Sequence, residues 1–294
     1  LGARIKKRAG FDVDYDYNLS STKENVLVYG RLYAGFVDED TSERFLLASS
    51  ELHLTPKFSI PVLKLRLPSD ITVGICRGAV VAIKGVLQFD TLQADEIFTD
   101  TRSEMPSELH GTSGEKLSVC FGPYFESSLN EVDSFVERLL NLENTQHVFV
   151  GPFVQSNCPL LTSVDCEYTA IELTQKVIET LTSRFENSIV IATMEDAIAF
   201  PVFPTPPIDI KGPQFTVSSD PSVLHYSGVD ICISGINAPG KILPQFIGPR
   251  ADRPRILAKL LAYQATVCPV TIPVFQQYLI DKVACNSPPH VIIT

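Results

Sequence analysis

The sequence predicts a two-domain α+β protein in which a small β-barrel is followed by an α/β sandwich. Two observations support this order. Between residues 25 and 99 the apolar runs are short and separated by polar turns, with no helical period between them. After residue 117 apolar runs alternate with stretches of helical period, which is typical of a parallel or mixed sheet covered by helices.

The first domain, residues 25–99, contains apolar runs of strand length. An OB-type barrel, which has five strands, fits this pattern best, although other small barrels remain open. The runs are Val26–Tyr29, Phe45–Ala48, Ile60–Leu67, Ala79–Ile83 and Val86–Phe89.

Polar segments flank the barrel. Residues 1–24 are predicted to be a polar tail, and residues 100–116 a linker between the domains. The chain begins at Leu1 and ends on the apolar run Val291–Thr294, so a fragment truncated at its C-terminal end is expected.

The second domain, residues 117–294, carries helix-start signals between apolar runs. Ser128 with Glu131 and Thr169 with Glu172 match the capping box, in which the two side chains satisfy backbone N–H groups at a helix start. A third helix is predicted to open at Pro254. Strands are predicted at 148–153, 188–192, 229–234 and 291–294.

Two apolar runs of this domain end in Gly-Pro-aromatic: Val119–Phe121 at Gly122-Pro123 and Phe149–Val150 at Gly151-Pro152. The carboxyl ends of strands are where α/β sheets hold their functional sites. A binuclear phosphoesterase places Asp and His side chains there to hold two metal ions, but these loops contain neither Asp-x-His nor Gly-Asp. The pattern predicts a phosphoesterase-type scaffold with no catalytic residue, metal ligand or cofactor.

The five histidines lie outside the sequence contexts of such metal sites and are predicted to be isolated surface or edge residues. They are His53, His110, His147, His225 and His290.

The composition argues against strong nucleic-acid binding. The net charge is −10, whereas proteins that bind phosphates present a basic face. Barrel strands carry four cations that an OB-type fold could present to a single strand, but stacking aromatics are scarce beside them, so a solvated face and weak DNA contact are predicted. These cations are Lys64, Arg66, Arg77 and Lys84.

Cysteine spacing and hydropathy indicate the cellular compartment of the protein. The seven cysteines form no Cys-x-x-Cys pair, and most lie in apolar runs, which predicts reduced thiols and a reducing compartment. No apolar run reaches the roughly 18 residues of a membrane span, so no membrane association is predicted.

The order of motifs resembles the B (accessory) subunits of replicative DNA polymerases, most closely that of DNA polymerase α–primase. Two departures are Ala197-Ile198, where the family keeps a histidine pair, and Glu195, where an arginine is usual. The resemblance rests on Cys-Phe-Gly-Pro-Tyr at 120–124, Val-Gly-Pro-Phe-Val at 150–154, the barrel region at 77–85, the proline-rich loop from Glu195-Asp196 to Pro207, the helix before Pro269, and the strand at 289–293.

The resemblance implies an OB-type barrel joined to a calcineurin-like phosphoesterase domain that has lost its metals. It places vestigial loop positions at Gly122, Pro123, Gly151, Pro152 and Asp196. It also implies a non-catalytic nuclear subunit that acts in the initiation of DNA replication. Such a subunit binds the C-terminal domain of the polymerase catalytic subunit, and primase indirectly, through residues that the resemblance does not identify.

Three alternatives stay open. The chain is a B subunit of DNA polymerase δ or ε, a divergent active metallophosphoesterase, or an OB-type binder of single-stranded nucleic acid.

Overall fold

The structure is a computed structural model that describes residues 22–34, 45–48, 62–68, 70–89, 91–99, 115–142, 145–163, 167–249, 252–264 and 289–294. The described residues divide into two compact units. The first contains the described residues up to 99 together with 237–264, and the second contains 115–236 and 289–294. The predicted tail up to residue 21, linker residues 100–114, His53 and His110 lie outside the described residues.

The first unit contains five strands: β1 (Lys23–Ala34), β2 (Phe45–Ala48), β3 (Val62–Arg66), β4 (Val80–Gln88) and β5 (Thr91–Phe98). They form a closed barrel in the order β1-β2-β3-β5-β4, with β4 pairing back to β1. Only β3 and β5 are parallel among these pairs in the described part of the chain. Because side chains alternate along a strand, Leu63 and Leu65 of β3 are buried while Lys64 and Arg66 point outward.

The prediction of two strands between residues 79 and 89 was wrong, because β4 is continuous. Its pairing with β5 shifts register between Lys84 and Gly85, as at a β-bulge. A side chain at Gly85 would collide with the backbone carbonyl of Gln93. The glycine therefore permits close strand approach instead of ending the strand. Strand β5 was not predicted, because only Leu92 and Ala94 in it are fully buried.

The second unit contains two sheets. The strands β6 (Lys116–Phe121), β7 (Thr145–Val150), β8 (Ser188–Ile191) and β9 (Phe215–Ser218) form a parallel sheet in that order. The strands β10 (Ser222–Tyr226), β11 (Val229–Ile233) and β12 (Val291–Ile293) form the other, in which β12 runs parallel to β11. The helices of this unit are α1 (Asn130–Leu139), α2 (Pro159–Thr162) and α3 (Ala170–Thr182).

Strand β7 supplies side chains to both faces of the parallel sheet. Phe149 belongs to a core with the buried faces of α1 and α3. Its neighbours Val148 and Val150 belong to a second core with Ile231 and Ile233 of β11. The parallel sheet therefore lies between helices on one face and the three-stranded sheet on the other, whereas the strand–helix alternation predicted a sheet covered by helices.

Of the two predicted capping boxes, one is confirmed and the other forms in part. At α3 the Thr169 hydroxyl accepts from the Glu172 N–H, and the Glu172 carboxylate accepts from the Thr169 N–H. Before α1 the Glu131 carboxylate accepts from the Ser128 N–H at 3.1 Å. In a complete capping box the Ser128 hydroxyl would accept from the Glu131 N–H. Here it accepts from the Asn130 N–H instead.

Two further helices, α4 (Ala238–Ile242) and α5 (Arg253–Gln264), are grouped with the barrel, as is a short 3-10 turn at Leu243–Gln245. Backbone hydrogen bonds in both directions join Ile75 to Ile247 at 2.9 Å, which attaches this segment to the barrel unit. Helix α5 begins at Arg253, next to the predicted Pro254.

Among the helices that the structure describes, none is both long enough and apolar enough to cross a membrane.

Candidate functional site

The carboxyl ends of β6, β7 and β8 lie at one edge of the parallel sheet, and the two Gly-Pro loops follow β6 and β7 there. The Gly122 N–H donates to the Val150 carbonyl at 2.9 Å, and the Gly151 N–H donates to the Ile191 carbonyl at 2.8 Å. Both Gly-Pro peptide bonds are cis. The two hydrogen bonds continue the sheet by one residue beyond β6 and by one residue beyond β7.

Both glycines are required by close approach of neighbouring loops. A Cβ atom at Gly122 would collide with the carbonyl oxygen of Pro152, and one at Gly151 would collide with the carboxylate of Asp196. Four of the predicted vestigial positions are therefore in contact at this edge. Gly122 packs on Pro152, and the adjacent Gly151 packs on Asp196.

Asp196 lies at the centre of this arrangement, with only 3% of its surface exposed. Its carboxylate accepts hydrogen bonds from the backbone N–H groups of Phe153 and Val154, which follow β7. It also accepts from the N–H of Thr193, at 2.8 Å, and from its hydroxyl, at 3.2 Å. Burial raises the pKa of Asp196, although the four donors act in the opposite direction. The side chain ties the loop after β7 to the loop after β8.

A second buried carboxylate, Asp220, follows β9 and was not predicted. Its Oδ1 accepts from the Ser234 hydroxyl at 2.7 Å and from the Gly235 N–H at 3.1 Å. Its Oδ2 is buried and lacks a hydrogen-bond partner among the residues that the structure describes. Burial raises the pKa of Asp220 to about 6, and the negative charge of Asp196 acts in the same direction. The only signal in the sequence was that Asp220 follows Phe215–Val217 after two serines, in a segment where no strand was predicted.

Two aromatic residues at the same edge, Tyr124 and Phe153, pack in the core on the helix side of the sheet. The Tyr124 hydroxyl lies 2.7 Å from the Cys120 carbonyl and 2.8 Å from the Val150 carbonyl, to which it donates. Its ring stacks on Phe153 with centroids 5.6 Å apart. Both rings are buried in the helix-side core, whereas Phe121 is 40% exposed.

The three histidines that the structure describes lie elsewhere. His147 is buried within β7 with its ring 4.1 Å from that of Phe185, so the prediction of a surface or edge position was wrong for it. Burial lowers the pKa of His147, which keeps the neutral form in the aromatic core. His225 and His290 both contact Asp230 of β11. The His225 Nδ1 lies 2.8 Å from the Asp230 carboxylate, and the His290 Nδ1 accepts from the Asp230 N–H at 3.0 Å.

The donor set at this edge does not fit a binuclear metal site. Such a site needs several carboxylates and imidazoles with free oxygen and nitrogen atoms. Asp196 has both oxygens engaged by protein donors. Over the described ranges, no group of three or more His, Cys, Asp or Glu side chains is placed to hold a metal ion.

A pocket of about 540 Å³ opens beside Asp196. It is formed by the loop after β7 and the longer loop after β8. Its lining residues are Gln155, Ser156, Asn157, Met194, Glu195, Asp196, Ala197, Ala199 and Pro201.

The four barrel cations have different environments. Lys64 and Arg66 are exposed on β3, and Lys84 forms a 3.1 Å ion pair with Glu96 of β5. Arg77 is half-buried, and its Nε has no hydrogen-bond partner in the described part of the chain.

Comparison of the sequence with models of known protein families gave no match, and a search of curated proteins gave none either.

Replacing Gly151 or Gly122 by alanine should lower the free energy of unfolding by about 1–3 kcal/mol, because a methyl group forces the packed loops apart. Urea denaturation measures the change. Ser156→Ala, an exposed substitution on the adjoining loop, is the control and should change stability by less than about 0.5 kcal/mol. Wild-type stability of Gly151→Ala would show that the Asp196 carboxylate does not lie against that glycine.

Proposed function

We propose that this chain is a non-catalytic accessory subunit of a replicative DNA polymerase, of the type found in the polymerase α–primase complex. One observation carries the proposal. At the edge where a phosphoesterase would bind metal, the Asp196 carboxylate accepts hydrogen bonds from the backbone of two loops. A carboxylate used in this way holds the scaffold together and leaves little capacity for ligation.

The architecture supports the same proposal. The barrel order β1-β2-β3-β5-β4, with β3 parallel to β5, is compatible with an OB-type barrel. The second unit, with helices on one face of a parallel sheet and a second sheet on the other, is compatible with a calcineurin-like domain. We therefore propose these two fold types for the two units.

In this role the chain binds the C-terminal domain of the polymerase catalytic subunit and holds primase indirectly. It works in the nucleus, at the initiation of DNA replication. A permanent complex of this kind buries a large interface, on the order of 2,000 Å² or more.

Affinity purification of the chain from its source cells, followed by identification of the recovered polypeptides, tests this function. Recovery of a large polymerase chain with two primase chains is the expected result. A polymerase chain without primase would instead indicate a δ- or ε-type B subunit. Absence of any polymerase chain would contradict the proposal.

The second candidate function is single-strand binding by the barrel, favoured by the exposed Lys64 and Arg66 on β3. In OB folds the face of strands 2 and 3 contacts oligonucleotides. Against it stand the net charge of −10 and the ion pair between Lys84 and Glu96.

We expect binding to a short single strand to be weaker than about 10 µM at about 0.15 M salt, because the acidic chain offers little counterion release. Fluorescence anisotropy measures it. Tighter binding that is lost in Lys64→Gln/Arg66→Gln but kept in Arg184→Gln/Lys211→Gln would favour the second function. The latter pair removes the same charge from exposed positions in the other unit.

A further inference from the structure

The pocket beside Asp196 is held in a fixed shape by the hydrogen bonds that join its two walls. Asp196 binds the N–H groups of Phe153 and Val154 on one wall and of Thr193 on the other. The Ala197 N–H also donates to the Val154 carbonyl at 2.7 Å. A pocket formed in advance loses little conformational entropy when a ligand binds.

The charge of the lining selects a cation. Glu195 is exposed in this pocket and Asp196 lies behind it, while no lysine, arginine or histidine is among the described residues that line it. The neutral side chains of Gln155, Ser156 and Asn157 add oxygen acceptors. A phosphate group would meet repulsion here, whereas a guanidinium or ammonium group would meet a carboxylate and several acceptors.

Apolar groups surround the same opening. Met194, Ala199 and Pro201 contribute to the lining, and the neighbouring Phe200 is 70% exposed. Arginine and lysine side chains need this combination, because their methylene stems pack on apolar surface while the charged end reaches polar groups. An exposed aromatic ring also attracts such cations.

We propose that this pocket binds an arginine or lysine side chain from an extended segment of a partner protein. The inference rests on the proposed function, since it names one contact that the scaffold makes with its partner subunit. The volume of about 540 Å³ suits one or two side chains of a peptide.

The binding test uses fluorescein-labelled hexa-arginine peptide and its neutral analogue hexa-citrulline, measured by anisotropy at about 0.15 M salt. We expect saturable binding of the arginine peptide, none of the citrulline peptide, and about fivefold weaker binding in Glu195→Gln. Glu186→Gln removes the same charge from an exposed position elsewhere in the unit and should leave binding unchanged. Equal weakening in both variants, or no binding to the wild type, would overturn the proposal.

A second experiment separates this inference from the proposed function. The co-purification is repeated with Glu195→Lys, which places a cation in the pocket. Recovery of the polymerase chain with the wild type but reduced recovery with the variant supports the inference. Equal recovery with both overturns the inference and leaves the proposed function standing. Recovery with neither overturns the proposed function and, with it, the partner named here.

Discussion

Replacing Asp196 by alanine should lower the free energy of unfolding by about 3–5 kcal/mol, because three buried backbone N–H groups and one hydroxyl lose a charged acceptor together. The loops after β7 and β8 share no comparable side-chain connection among the described residues. The loss is therefore expected to loosen the carboxyl edge of the sheet. Urea denaturation at neutral pH measures the change.

Asp209→Ala is the matched control, because the Asp209 side chain is 92% exposed and its ion pair is with the exposed Lys211, at 3.5 Å. It should change stability by less than about 0.5 kcal/mol. The wild-type melting temperature should not respond to EDTA or to added manganese. A melting temperature that EDTA lowers in the wild type but not in Asp196→Ala would mean that Asp196 binds a metal, and would favour the divergent metallophosphoesterase.

Replacing Asp220 by asparagine should raise the free energy of unfolding at pH 7.5 by about 1–3 kcal/mol. The pKa of Asp220 is about 6 in the folded chain, against an ordinary 3.8, so the folded state binds its proton more tightly than the unfolded state. The stability associated with that proton is complete below pH 4 and is lost as the pH rises through 6. Asparagine carries no charge and keeps an oxygen for Ser234 and Gly235.

Urea denaturation of both chains between pH 4.5 and 7.5 checks this prediction. The stability difference should be largest at pH 7.5 and should shrink towards pH 4.5, where the wild-type carboxyl is protonated. Asp209→Asn, at an exposed position, should show no such trend. An Asp220→Asn chain that is less stable than the wild type at pH 7.5 would mean that the Asp220 charge is stabilising.

The sequence was a good guide where one local pattern decides the structure. The strand Phe45–Ala48 and the Thr169 capping box were predicted from adjacent residues and are confirmed. The sequence was a poor guide where the pairing of one strand with another decides the structure. The bulge at Lys84–Gly85 depends on pairing with β5, and the strand Phe215–Ser218 pairs with Ser188–Ile191 across a long loop. The strand Ser222–Tyr226 pairs with the next strand along the chain, Val229–Ile233, and was not predicted either.

For the candidate site, the sequence by itself determined that two apolar runs end in Gly-Pro loops and that Asp-x-His and Gly-Asp are missing from these loops. Only the tertiary structure decided what the remaining carboxylates do. Asp196 reaches N–H groups about 40 positions away, and Asp220 reaches Ser234 and Gly235 across a turn of the chain. Burial, the number of donors and the proximity of a second charge follow from packing of distant segments, and these set the protonation and the role of each carboxylate.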